Sequence, residues 1–166
     1  MKRSGIGRLL LVPFLLSGCL YSLSGGGGLP RNVRTVAVIP FENETSSPEL
    51  SGELHQALRK AFNDRLGLRD ASEQRANAVV SGKITTYDAD VPVAFSADPT
   101  RATSARRRLQ IRVDVTIFDQ VSGRVLFQRT GVSAEGEYAE REEAAGRKQA
   151  IERIVNDIVE GAQSQW

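Results

Sequence analysis

Residues Arg107 to Asp119 read RRLQIRVDVTIFD, and their alternation decides the fold. Leu109, Ile111, Val113, Val115 and Ile117 fall on one side of an extended chain. Arg108, Gln110, Arg112, Asp114 and Thr116 fall on the other. Successive side chains of a strand point to opposite faces, so this is a strand with one face in a core and one in water. Gln120-Val121-Ser122-Gly123 follows as a turn. RVLFQRTGVSAEG, Arg124 to Gly136, then returns as the antiparallel partner.

A sheet that is apolar on one face needs a cover, and two stretches supply it. Leu50, Leu54, Leu58, Phe62 and Leu66 recur at fours, flanked by Ala57 and Ala61, which is a single apolar stripe at helical spacing. Ahead of them, Ser46 and Glu49 fit a capping box, or Ser47 caps with Pro48 in the first turn. Gly67 suits the C-terminal cap. The second cover runs from Ala139 to Gln163, with a stripe of Ala144, Ile151, Ile154, Val155, Ile158, Val159 and Ala162.

Two further strands complete the pattern. VRTVAVIPF, Val33 to Phe41, is β-branched, and its centre Val36 to Ile39 is apolar on both faces, with Pro40 limiting the pairing of its end. AVVSGKITTY, Ala78 to Tyr87, is the other, with Gly82 weakening its packing. Val91 to Arg106 carries Pro92 and Pro99 and reads as irregular. The expected order is β-α-β-β-β-α. It predicts an α+β two-layer sandwich, a four-stranded mixed sheet with two helices on one face. Residues 31–166 are expected to form one globular domain.

The first residues belong to something else. MKRSGIGRLLLVPFLLSGC has a basic start, Lys2, Arg3 and Arg8, then an apolar run from Leu9 to Leu16, then Ser17 and Gly18. That is a secretory signal layout over residues 1–18, too short in its apolar part to span a bilayer. Leu16-Ser17-Gly18-Cys19 resembles the bacterial lipobox, an aliphatic residue and two small ones before a cysteine. The resemblance implies a diacylglycerol on the Cys19 thiol, cleavage before Cys19 and acylation of the new amine. Several acyl chains anchor a protein stably, at about 0.8 kcal/mol per buried methylene. Residues 19–30 then form the acylated cysteine and a tether, because the run Gly25 to Gly28 has no side chain to pack. A phosphate-cradling loop would need Lys-Ser/Thr after the glycines; Leu29-Pro30 stands there instead.

Charge and composition exclude several functions. The whole chain carries +2, but the three basic and no acidic residues ahead of Cys19 leave −1 from there onward. Net charge therefore gives no reason to expect nucleic acid. One histidine, His55, beside Leu54 on the first helix, and one cysteine cannot make the common zinc sets, so no metal and no cofactor are expected. His55 reads as a surface or half-buried helix residue. Glu42 and Glu44 could form an acid pair, yet their place ahead of a helix reads as charge complementing its dipole. No enzymatic site emerges. The local exception to neutrality is Arg101, Arg106, Arg107, Arg108 and Arg112, five arginine forks within twelve residues. Forks suit phosphate and carboxylate, so these five are the candidate anion-binding residues.

Tyr21-Ser22-Leu23 after Cys19, Leu29-Pro30, TVAVIPFENET (Thr35 to Thr45) before a helix, AVVSGKI (Ala78 to Ile84) and the turn from Phe118-Asp119 to Gly123 come in an order that resembles the LptE family of lipopolysaccharide-assembly lipoproteins. The family usually has Gly after the lipid cysteine, where this chain has Leu20. The resemblance implies a non-enzymatic lipoprotein at the inner leaflet of the outer membrane, facing the periplasm. Its partners would be an LptD-type β-barrel, whose lumen it plugs and whose assembly it assists, and lipopolysaccharide. Binding of lipid phosphates by the five arginines is an expectation from local charge, not from a family motif. VAVIPFEN, Val36 to Asn43, is also similar to the start of curli-secretion and peptidoglycan-synthase-activator lipoproteins, the alternative reading.

Overall fold

The computed structural model describes residues 29–92, 107–139 and 141–164. The elements in chain order are β1 (Thr35–Val38), β2 (Glu42–Asn43), α1 (Glu49–Leu66), β3 (Arg69–Asp70), a 3-10 turn (Glu73–Arg75), β4 (Ala78–Pro92), β5 (Arg107–Asp119), β6 (Arg124–Tyr138) and α2 (Glu143–Ser164). The sheet runs β3-β1-β4-β5-β6, with β2 also paired to β4. β1 is parallel to both β3 and β4, whereas β4–β5 and β5–β6 are antiparallel, so the sheet is mixed.

The α+β two-layer class is as expected, and the strand count is higher. β2 exists because Pro40 has no N–H: the chain leaves the sheet there and rejoins β4 at Glu42, opposite Lys83. β3 is a two-residue rail beside Thr35 and Val36. β4 also continues beyond Tyr87 to Pro92, taking in Val91 and Pro92 from the stretch expected to be irregular. Both are registered with Arg108 and Arg107 at a strand end, where a proline is tolerated.

α1 buries Leu50, Leu54, Leu58, Ala61 and Phe62. Its end is closed as expected, by Gly67 at φ 65°: Gly67 N donates to Asn63 O at 3.0 Å and Leu68 N to Phe62 O at 3.1 Å. Its start is not closed as expected. Pro48 holds the cap position, and no side chain caps the helix. Ser47 is turned inward, and its carbonyl accepts from Asn43 Nδ2 at 2.7 Å and from Leu50 N at 3.3 Å. Asn43 organises this entry, since Thr45 donates to its Oδ1 through both N and Oγ1.

α2 lies over β5 and β6 and packs against α1. Ile151, Ile154, Val155, Ile158, Val159 and Ala162 are buried as the stripe requires. Ala144 is exposed, and Gly146 and Ala150 take the inner positions of the first turns. One continuous core results, from Val36 and Val38 through Ile84 and Ile111 to Phe127 and the two helices. Each large aliphatic or aromatic side chain buried there contributes roughly 1.5–3 kcal/mol.

Candidate functional surface

The alternation of β5 does what its sequence requires. Leu109 to Ile117 at odd positions are buried, and the even positions form an open sheet face without a covering layer among the described residues. Arg108 and Arg112 lie on that face. Arg107 belongs to the odd set and so starts on the helix side of the same strand. Arg101 and Arg106 lie outside the described residues, as does Cys19. The structure therefore places Arg108 and Arg112 on one face, four positions apart along the strand, and puts Arg107 on the other.

Arg108 and Arg112 differ in what they touch. Arg108 Nη1 lies 3.1 Å from Glu135 and Nη2 lies 3.8 Å from Glu137, both cross-strand on β6. Arg112 is exposed and has no ion pair among the described residues. Lys83 shares the open face, and it bridges Glu42 at 3.1 Å and Glu44 at 3.2 Å. The hydrogen bonds it donates to Glu42 and Glu44 hold its ammonium above the ordinary lysine value. The Glu42–Glu44 pair is thus a clamp between β2 and β4, with a lysine between the two acids.

On the helix side, charge is gathered at one point that the sequence did not signal. Arg147 of α2 forks onto Glu53 of α1, Nε to Oε2 at 2.8 Å and Nη2 to Oε1 at 3.0 Å. Its Nη1 reaches Glu49 at 3.3 Å and Glu143 at 3.5 Å. Tyr87 of β4 donates its hydroxyl to Glu143. The Arg147 side chain is 11% exposed, and the fork onto Glu53, set against burial, holds its guanidinium firmly protonated. One cation thereby ties both helices to the sheet. The one available cue was Glu143 and Arg147 at i,i+4 spacing; the link to Glu53 is 94 positions away in sequence.

No cluster of three potential ligands occurs among the described residues, and none of their helices is long and apolar enough to cross a membrane. His55 is half-buried on α1, with Nδ1 enclosed and unpartnered. A groove of about 700 Å³ runs between the outer sides of α1 and α2, floored by Ala57, Ala61, Ile151 and Val155.

Residues 33–160 match the profile of the family described as LptE, lipopolysaccharide-assembly. No curated protein sequence matches significantly. Among solved structures, a PelC dodecamer from Paraburkholderia phytofirmans is similar at 16% identity, covering 83% of this chain and 93% of the other, with a TM-score of 0.52. The hypothetical protein CT253 from Chlamydia trachomatis is similar at 12% identity over 80% and 97%, with a TM-score of 0.53. At such identities these two share the fold. The family match takes in every strand, α1 and all but the last turn of α2: the chain belongs to the LptE lipopolysaccharide-assembly family.

Proposed function

We propose that this protein is a non-enzymatic lipoprotein of the outer membrane, held by acyl chains on Cys19 and facing the periplasm. There it plugs an LptD-type β-barrel, assists that barrel's assembly and takes part in moving lipopolysaccharide to the cell surface. The observation that carries the reading is the family match over residues 33–160. The lipobox-like Leu16 to Cys19 and the glycine tether support an anchored domain that reaches away from its membrane. Gentle detergent extraction followed by mass spectrometry tests it. The expected result is a diacylglyceryl and acyl mass on Cys19 and a copurifying β-barrel. A soluble synthase or a ring of copies in place of the barrel would overturn it.

Within that reading, the arginines meet the anionic phosphates of the lipid. Arg108 already faces two carboxylates, so Arg112 carries more of the contact than Arg108, and Arg101, Arg106 and Arg107 complete the set. Replacing all five by glutamine should weaken lipopolysaccharide binding, and Arg112→Gln alone should account for more of the loss than Arg108→Gln. Unchanged binding by a folded five-fold variant would remove the arginines from the function.

A further inference from the structure

The sheet is built short beside β1. β3 is registered with Thr35 and Val36 alone, and Ala71 N donates to Val36 O at 3.0 Å as the chain leaves. The chain then turns through Glu73–Arg75, where Arg75 N and Ala76 N donate to Ser72 O at 2.9 and 3.0 Å. Gln120 Nε2, next to the end of β5, donates to Glu73 O at 2.7 Å and ties that turn to the sheet. Level with Val38, β3 has therefore ended, and a hollow of about 440 Å³ opens. Val38 and Ala71 line it from the sheet side, His55 and Arg59 from α1, and Ser72 and Arg75 from the turn.

Three side chains in that lining bring N–H donors. Arg59 gives Nη2 to Asp70, which keeps its guanidinium beside β3. The other N–H groups of Arg59 have no partner among the described residues. Arg75 gives Nε to Ser72 Oγ at 3.1 Å and meets no carboxylate among the described residues, so its two Nη groups are uncommitted. His55 contributes differently, because its Nδ1 is enclosed and unpartnered. An enclosed N–H without an acceptor is rarer and costlier than an enclosed lone pair, so the neutral ring carries its proton on Nε2. Asp70 is the one carboxylate of the lining, against two guanidinium groups.

We propose that this hollow binds a phosphate group with at least three free oxygens, as inorganic phosphate or a phosphate monoester. Arg59, Arg75 and His55 Nε2 are its donors. Guanidinium forks match phosphate oxygens in pairs and are strongest toward an ionised acceptor. Three donor groups on three residues call for three acceptor oxygens, which neither a carboxylate nor a phosphodiester offers. Asp70 is a positioning residue, acting through Arg59. The site is separate from the arginines of β5. Val38 is registered with Val80 near the start of β4, whereas Arg107 and Arg108 are registered with Pro92 and Val91 at its end. The inference rests on the hollow alone and is independent of the barrel reading.

The test uses the full, untagged chain in detergent micelles and follows His55 by NMR, whose imidazole signals are unambiguous because the chain has one histidine. Inorganic phosphate should shift His55 Nε2 saturably, and acetate at equal ionic strength should bind at least tenfold more weakly. Doped micelles separate the two sources of the group. Phosphatidic acid, a lipid monoester, should reproduce the shift if the phosphate arrives on a lipid, and should leave it unchanged if the phosphate arrives free in solution. Phosphatidylcholine, a diester, should do nothing in either case. Arg59→Gln with Arg75→Gln should abolish saturation. Arg75→Gln alone leaves the Arg59–Asp70 pair intact and should weaken binding at least tenfold; it decides the matter if the double variant fails to fold. No saturable shift with inorganic phosphate or phosphatidic acid, an equal response to acetate or phosphatidylcholine, or undiminished binding by Arg75→Gln would overturn the proposal.

Discussion

The backbone of Gly146 on α2 lies directly against Gly136 on β6. A Cβ on Gly136 would come within 2.6 Å of the Gly146 carbonyl carbon and closer still to its oxygen. Helix and strand touch there through bare backbone, which only glycine permits. Gly136→Ala forces the two elements apart and should lower stability by about 3 kcal/mol, the scale of overpacking a tight core. Gly52→Ala on α1, with nothing within 4 Å of the added methyl, should raise it by roughly 0.5–1 kcal/mol. Denaturant midpoints of the two variants should therefore move in opposite directions.

Arg147 and Glu53 make the second such joint, through charge. Removing the guanidinium leaves Glu53, Glu49 and Glu143 facing one another across the gap it filled. The glutamates are partly solvated, so Arg147→Ala should cost about 2–3 kcal/mol, below the value for a fully enclosed pair. Arg147→Lys keeps the charge and loses the two-pronged fit to Glu53, and should recover part of that loss. The comparison is read from thermal unfolding of both variants at one pH. Equal stability of wild type and Arg147→Ala would show that the cluster contributes nothing.

The contrast between these joints and the strands marks what sequence carries. β5 was legible because each of its side chains reports its own face, so thirteen residues state their environment independently. The core stripe of α1 and its Gly67 cap were legible for the same local reason. β2 and β3 were not, because two residues hold no periodicity and exist only through their neighbours in the sheet. The inward turn of Ser47 depends on Asn43, which competes for its carbonyl. The five arginines read as one cluster along the chain. In space, alternation divides Arg107 from Arg108, and two glutamates of β6 reach Arg108.

Tyr87 gives the alkaline side of the stability profile. Burial, and after it the hydrogen bond to Glu143, pushes its phenol from the ordinary 10 up to about 12. The folded state therefore holds this proton more tightly than the unfolded chain does. Stability from the group is complete below pH 10 and falls as pH rises from about 10 to 12. The group is partly solvated, so about 1 kcal/mol is at stake. Tyr87→Phe should lose less stability over that window than the wild type, and the tyrosinate absorbance difference between them should show a phenol titrating near 12. A difference centred at 10 would show that Tyr87 is neither buried nor held by Glu143 in solution.

Asp119 gives the acid side. It closes β5 and is 2% exposed, at the point where the chain turns into β6. Its carboxylate accepts from Val121 N at 2.8 Å and Ser122 Oγ at 2.6 Å, and from Asn32 Nδ2 at 3.5 Å. Burial alone would push the carboxyl up. Hydrogen bonds from Ser122, Val121 and Asn32 together outweigh it and hold the group below the ordinary carboxylate value. A carboxyl whose folded value is depressed adds stability above its unfolded value, near 4, and loses it as pH falls through the folded value. The wild type should therefore lose stability below about pH 4 in a way that Asp119→Asn does not. At neutral pH the variant should already be weaker by about 2 kcal/mol, since an amide N–H₂ must face donors where an oxygen accepted. Because Asp119 fixes the turn, the same variant should speed amide exchange at Val121 and Ser122 before it does so in the middle of β5. Uniform loss of protection across the hairpin would mean that the carboxylate stabilises the sheet as a whole and not its turn.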